Sequence, residues 1–331
     1  MVNFIYTDNE YNELGYLKNC SLDLEIGKYG VASNDFELKI SIPSWDRDFN
    51  KNSIFFCTDS EYGGLIEGKK VDTSVNSITF RGKTFRGILE KEYIQPPNGQ
   101  AYLNANGEAN TVINSLITGR FDSLFVVDNV GLSDITVNYQ IRDLNLLEAL
   151  EKMLTKADIP SRLDVNFYDG QVHLQAIPIV DLSELLQYDQ SYGITMIAET
   201  PSNTYNHILA LGKGELTERL RVNLYLKNDT WGTTENNELS GLCRKTYIYN
   251  NTNEEDVSKL IESAIESCER ENGTEKIEVN FTTDEAELFD VVGALEEITG
   301  LGFKQSITKK IVKATITENV VTSTFEYKVG D

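Results

Sequence analysis

The chain has 331 residues, 40% of them hydrophobic and 25% charged, with a mean hydropathy of -0.32. That is the size of about two domains and the composition of a globular protein, which excludes a peptide, a collagen-like repeat and a disordered tail. Thirty Lys and Arg against 52 Asp and Glu leave a formal charge of -22, which repels phosphate backbones and excludes a sequence-independent nucleic-acid binder.

The first twenty residues lack the basic segment and apolar run of a secretory signal, and no stretch approaches the roughly 18 apolar residues of a spanning helix. The expectation is a chain that is made in the cytosol and stays soluble. Cys20, Cys57, Cys243 and Cys268 show no CxxC spacing and are expected as free thiols. The Asn-x-Thr sequons beginning at Asn228, Asn250, Asn272 and Asn280 carry no consequence without export.

Phe36 to Ile42 alternates as a strand until Pro43 interrupts it. Residues 53–95 then read as an antiparallel meander or small barrel. The segments are SIFFCT, a Tyr62-Gly63-Gly64 turn, LIEGKKVD, SITFRG and a last strand, TFRGILEKEYI. Alternation in Ile78-Thr79-Phe80-Arg81 puts one face inward and the other toward water or a partner. Pro96-Pro97-Asn98-Gly99 removes two donors and fixes two φ angles, so the chain turns there and a domain boundary is placed.

From 100 to 180 the period moves toward 3.6. Asn110 is read as the cap of a helix with Val112, Ile113, Leu116 and Ile117 on one face, ended by Gly119. A strand at Ser123 to Asn129 follows. Asp143 is read as the cap of a second helix, its stripe Leu146, Leu147, Leu150, Met153 and Leu154, stopped by Asp158-Ile159-Pro160. Arg162 to Phe167, a Tyr168-Asp169-Gly170 turn and Gln171 to Ile177 make a hairpin.

Beyond Pro178, strands are expected at Tyr192 to Glu199, Asn206 to Lys213 and 220–226, then a polar loop at 227–243. Thr252-x-x-Glu255 reads as a capping box ahead of the stripe Val257, Leu260, Ile261, Ala264, Ile265 and Cys268, closed by Asn272-Gly273. Residues 276–329 return to short strands punctuated by Gly293, Gly300, Gly302 and Gly330. The expected fold is α+β: two small antiparallel β-barrel domains, at 1–97 and 181–331, flank an α/β domain at 98–180, with an additional helix at about 253–272. β-rich segments stand at both ends, but no exact repeat relates them.

Reactive constellations are sparse. His173 and His207 are the only histidines, His173 falls in a strand, and neither HExxH nor GxSxG occurs. No catalytic, cofactor-binding or metal-ligating residue is assigned. Gly63-x4-Gly68-Lys69-Lys70 imitates a phosphate loop, yet Lys replaces the hydroxyl and no helix follows, so a hairpin is the better reading. Gly212-Lys213-Gly214 reads as a strand-end turn rather than an anion nest. Glycoside hydrolysis needs only two acids about 5 to 10 Å apart, and 52 acids supply accidental pairs. Trp45, Trp231 and sixteen tyrosines can stack sugars, although the core needs most aromatics.

Three stretches together resemble the baseplate or tail-tip hub proteins of tailed phages and phage-tail-like particles, including PBSX-like prophages and R-type bacteriocins. In YGGLIEGKKVDTSVNSITFRGKTFRGILEKEYIQPP the shared features are Gly63, Gly64, Gly82, Gly87, Pro96 and Pro97. In TPSNTYNHILALGKGELTERLRVNLYLKNDTWG they are Asn206, His207, Gly212, Gly214, Glu215 and Arg219. The third stretch, from Leu288, carries a Thr299-Gly300 pair and a strand at Ile307 to Ile311.

The resemblance implies a structural, non-enzymatic homotrimer without cofactor. Its partners would be the tail tube protein, the spike or tail-tip protein, the tape-measure protein and baseplate components, with no sequence-specific nucleic acid and no membrane insertion. It would sit in the cytoplasm during assembly and afterwards in the baseplate of a virion or tail-like particle. Each chain would contribute two related barrels, so three chains present six to a six-fold tube above a three-fold spike. That geometry requires two superposable closed sheets per chain. An acidic lumen would let DNA pass without adhering. Longer members carry a wall-degrading domain after the hub, whereas this chain ends at Asp331 after its final strand, so no fused hydrolase is expected. The alternative is a module that binds or hydrolyses cell-wall glycans.

Overall fold

A computed structural model gives the architecture; it describes residues 3–185, 187–188, 195–199, 204–228, 230–236, 239, 241–272, 276–280, 286–296, 301–317 and 320–330. The chain divides into two compact units: residues 1–197 with 277–331, and residues 198–276.

The first unit opens with β1 (Ile5–Thr7), β2 (Glu13–Tyr16), β3 (Cys20–Gly27), β4 (Asp35–Ser41), β5 (Ile54–Phe56), β6 (Gly63–Asp72) and β7 (Ser77–Thr84). Period-2 alternation sends Leu22, Leu24, Ile26, Phe36, Leu38, Ile40, Ile78 and Phe80 into the core, each at most 4% exposed. Each such side chain contributes about 1.5–3 kcal/mol. Their neighbours Asp23, Glu37, Lys39 and Arg81 are exposed. Gly63 and Gly64 belong to β6 rather than to a turn; the connection from β5 is residues 57–62, closed by Cys57 N–H on the Tyr62 carbonyl at 2.8 Å. The phosphate-loop-like run is one strand of an antiparallel pair with β7.

The expected strand at 84–94 is a helix, α1 (Phe85–Leu89), followed by the two-residue β8 (Tyr93–Ile94). Thr84 Oγ1 accepts the Gly87 N–H at 3.2 Å, and all five helical residues are buried. Next come β9 (Leu103–Glu108), α2 (Ala109–Ile117), β10 (Phe125–Val127), β11 (Thr136–Ile141), β12 (Leu144–Asn145), α3 (Leu146–Thr155), β13 (Ser161–Tyr168) and β14 (Gln171–Pro178). The caps are Glu108 and Asn145, not Asn110 and Asp143. Glu108 accepts the amides of Asn110 and Thr111 at 3.1 and 2.7 Å. Asn110 is thereby inside the helix and buried, where Nδ2 donates to the Asn129 carbonyl at 3.2 Å and Oδ1 accepts the Ala176 amide at 2.7 Å. β14 pairs antiparallel with β13 and parallel with β10. One hydrophobic core joins α1, α2, α3 and this sheet, from Ile54 and Phe85 to Leu150 and Leu174.

β15 (Gln187–Tyr188) precedes the second unit and β16 (Thr195–Glu199) crosses into it; residues 192–194 of the strand expected there lie outside the described residues, as do Gly273, Thr299 and Gly300. The second unit holds β17 (His207–Leu211), β18 (Arg221–Lys227), β19 (Thr230–Gly232), β20 (Thr246–Asn250) and α4 (Val257–Glu271) in the order β19-β18-β17-β20. The strand β19 falls within the expected loop. Leu260, Ala264 and Cys268 of α4 pack on Ile208, Ala210 and Leu224. The cap of α4 is Asp256, accepting the Ser258 and Lys259 amides, rather than the Thr252–Glu255 box. Glu255 instead pairs with Lys213, and Val257 of the expected stripe is 46% exposed.

The chain returns through β21 (Lys276–Asn280), β22 (Val291–Glu296), β23 (Leu301–Ile316) and β24 (Val321–Val329). Gly293 and Gly302 lie within β22 and β23 rather than between strands. Sixteen residues long, β23 pairs β22 with its first part and both β24 and β3 with its second. That β3–β23 ladder fuses the two ends of the chain into one thirteen-stranded sheet: eleven strands run in the order β16-β21-β24-β23-β3-β4-β7-β6-β5-β1-β2, and β22, paired with β15 and β23, branches from this path. The two expected barrels are corrected accordingly: among the described residues no sheet closes, because β2 and β16 end the path without pairing each other. The α+β class holds; the closed sheets do not.

Candidate functional site

The glycines of the first resembling stretch are sites of backbone approach. A Cβ on Gly82 would stand 1.9 Å from the Leu65 carbonyl oxygen, at the register shift between Ile66 and Gly68. One on Gly87 would stand 2.1 Å from the Asn34 oxygen, and Gly63 and Gly64 admit the rings of Phe85 and Phe36. These four glycines form one packing cluster around β5–β7 and α1. Pro96 and Pro97 follow β8, with the Gln100 amide on the Pro97 carbonyl at 2.9 Å.

Asn206, His207, Gly212 and Gly214 lie in the other unit. Asn206 fastens a neighbouring segment, donating to the Cys243 carbonyl at 2.8 Å and accepting the Lys245 amide at 2.9 Å. His207 is buried between Thr246 Oγ1 at 2.9 Å and Asn223 Oδ1 at 3.1 Å, and burial pushes its pKa down. Gly212 approaches Leu220, and Gly214, at φ +106, makes the turn.

The densest electrostatics fall on residues the sequence did not single out. Arg86, 2% exposed, projects from α1. Its Nη2 donates to Glu61 Oε2 and to the Leu163 carbonyl, each at 3.1 Å. Nη1 faces Glu151 Oε1 of α3 at 4.0 Å, and neither atom has a hydrogen-bond partner. Glu151, 8% exposed, accepts the Tyr29 amide through Oε2 at 2.9 Å. Burial pushes the Glu151 carboxyl up to about 7, against the opposing pull of Arg86 and the Tyr29 amide. Arg86 thus fastens the 57–62 connection and β13 to α1, and faces the Glu151 carboxyl of α3.

Beside it, Lys310 Nζ lies 4.9 Å from the Tyr62 ring and 5.2 Å from the Tyr327 ring, with Glu287 at 3.7 Å. Arg162 reaches Asp164 at 3.2 Å and Asp290 at 3.5 Å. Arg86, Arg162 and Lys310 line a cavity of about 260 Å³, and Glu151 lines another of about 500 Å³ with Lys28, Glu148 and Lys152. Ser60, on the smaller cavity, gives its hydroxyl to the Cys57 carbonyl at 2.8 Å. The arrangement can hold segments together and store a proton.

His173 does have an orienting carboxylate. Nδ1 is 2.8 Å from Asp128 Oδ1, the ring stacks on Tyr168 at 3.5 Å, and the Tyr168 hydroxyl donates to the same Asp128. Burial first, then the hydrogen bond to Asp128, pushes the Tyr168 hydroxyl up to about 12. Nε2 is buried and has no hydrogen-bond partner among the described residues. Asp128 reaches His173 through the parallel β10–β14 ladder, which no local sequence pattern announces.

A concavity of about 1050 Å³ is the open solvent face of β3, β4, β7 and β23. Its charges pair across strands: Arg81 with Glu37 at 2.6 Å, Lys309 with Glu25 at 2.9 Å and Lys313 with Glu326 at 3.1 Å. Among the described residues no group of three or more His, Cys, Asp and Glu is placed to hold a metal ion, and no helix is long and apolar enough to cross a membrane. Burial pushes the Cys20 and Cys268 thiols up to about 12 and 11.

No family model matches the sequence, and no curated protein matches it. Solved structures do. The 43 kDa tail protein of prophage MuSo2 from Shewanella oneidensis superposes with a TM-score of 0.58 at 10% identity, covering 99% of this chain and 98% of that one. A tail protein from Neisseria meningitidis MC58 gives 0.52 at 12% identity over 99% and 96%. Prophage tail protein gp18 from Listeria monocytogenes EGD-e gives 0.51 at 11% identity over 99% and 94%. At such identities the likeness shows a shared fold, and it extends over nearly the full length of each partner.

Proposed function

We propose that the chain is a structural, non-enzymatic protein of a phage tail or tail-like particle, and that within it the chain is the trimeric hub between a six-fold tube and a three-fold spike. The observation that carries the tail role is the full-length likeness to three bacterial tail proteins, covering 99% of this chain each time. The hub and the trimer rest on the three resembling stretches. The two closed sheets per chain that this geometry is expected to require are absent among the described residues, which counts against six equivalent positions and leaves the hub resting on the resemblance alone. Three times a charge of -22 in one ring requires that some acids face water or the lumen and that the interfaces be depleted of charge.

The test is assembly. Deleting the gene from its particle should stop tails before the baseplate closes, and the purified chain should capture the tail tube and spike proteins and, on them or alone, reach three times 37.3 kDa by light scattering. Complete tails without the chain would overturn the reading. Release of peptidoglycan fragments, abolished by a single Asp or Glu substitution, would replace it with the glycan-acting alternative.

A further inference from the structure

We propose that Glu61, Arg86 and Glu151 form a proton-operated latch in the first unit, closed while Glu151 carries a proton and loosened when it ionises. The inference stands on this unit's own geometry and does not rest on the tail reading.

The argument is a charge count in a buried place. With Glu151 protonated, the cluster is one guanidinium and one carboxylate, Glu61, at hydrogen-bonding distance. Ionisation adds a second negative charge whose Oε1 has no donor and whose nearest cation is 4.0 Å away. Removing a carboxylate from water without full hydrogen bonding costs more than such a loose pairing returns. The other charges facing Glu151 do not cancel this. On its own helix Glu148 and Lys152 pair with each other at 2.8 Å. From α1, Glu90 adds negative charge and is itself held by Lys83 at 2.8 Å. The segment after β3 supplies Lys28 and the Tyr29 amide. Among the described residues, β23 presents uncharged Gln305, Ser306 and Thr308 to the same cavity.

That cavity, about 500 Å³, gives an ionised Glu151 a way toward water. Taking it means giving up the Tyr29 amide and the approach to Arg86, so α3 releases both the 28–30 segment and α1. Acid therefore tightens this corner of the unit and alkali loosens it.

The Tyr29 amide is the direct reporter. Hydrogen exchange of the full chain from pH 5 to pH 8, corrected for the intrinsic pH dependence of exchange, should show protection at Tyr29 and along 151–155 falling on the order of 50-fold. In Glu151→Gln it should stay level. A flat profile in the native chain, or the same fall in Glu151→Gln, overturns the latch, as does an equal loss of protection throughout residues 204–272. Should Glu151→Gln fail to fold, glutamate carboxyl carbon resonances of the native chain decide: one that titrates near pH 7 supports the latch, and ordinary titration of all of them overturns it.

Discussion

Glu108 and Glu151 tilt the stability of one unit in opposite directions with pH. Partial burial of Glu108 is outweighed by the hydroxyls and amides of Ser133 and Thr111, which hold its carboxyl down at about 2. Its stabilisation is therefore present above the ordinary carboxylate range and is lost as pH falls toward 2. Solvent screening leaves about 1–2 kcal/mol of that effect. Urea unfolding at pH 3 and pH 7 should show Glu108→Gln flattening the acid slope by this amount. Glu151 has the opposite sign. Its carboxyl is raised to about 7, so its contribution is intact below the ordinary carboxylate range and is lost as pH rises through 7. Glu151→Gln should be more stable than the native chain at pH 8, by about 2 kcal/mol, and equal to it near pH 4.5. Gly82 meets a backbone oxygen that cannot yield, so Gly82→Ala should cost at least about 2 kcal/mol in the same assay.

In α4, capping and packing separate cleanly. Asp256→Ala removes an acceptor for two amides and should cost about 1 kcal/mol, while Leu260→Ala empties a fully buried position and should cost about 2–5 kcal/mol. Exchange protection within residues 204–272 is the measurement, because both residues belong to that unit. What the sequence revealed at this scale followed locality. The hairpin β13–β14 was legible to within a residue, since its strands alternate and Asp169-Gly170 adopts the positive φ values, 48 and 77, that those residue types tolerate. Helix stripes were legible and caps were not, because Asn110, Asp143 and Thr252 compete with Glu108, Asn145 and Asp256 a few positions away. α1 was misread as strand because burial on all sides leaves Phe85, Ile88 and Leu89 without a polar face to mark the period. The Arg86 cluster was illegible for another reason: its members are 25 and 65 residues from Arg86 in the chain, and charged residues in apolar surroundings look like surface ones until the partner is known.

At the scale of the molecule, alternation tells a strand which face to bury but not which strand to join. β3 and β23 both carry inward-pointing apolar rows, and two barrels or one sheet satisfy those rows equally. The structure joins them over eight residue pairs, Cys20 with Ile316 through Gly27 with Lys309. The N-terminal β-rich region is thus completed by the end of the chain, and a fragment ending at residue 97 should lack cooperative thermal unfolding by circular dichroism. Residues 198–276 stand differently, because the chain leaves after β16 and returns at β21, which are neighbours in the sheet. A Gly/Ser linker of about 12 residues reaches either end of an adjacent five-residue strand. Replacing residues 200–275 by such a linker should therefore leave one cooperative transition and the proteolytic resistance of the first unit. A fragment ending at 97 that melts cooperatively would instead restore an independent N-terminal domain and, with it, the geometric case for paired barrels. Loss of folding on excision would show that the insertion helps hold the sheet's β16 edge.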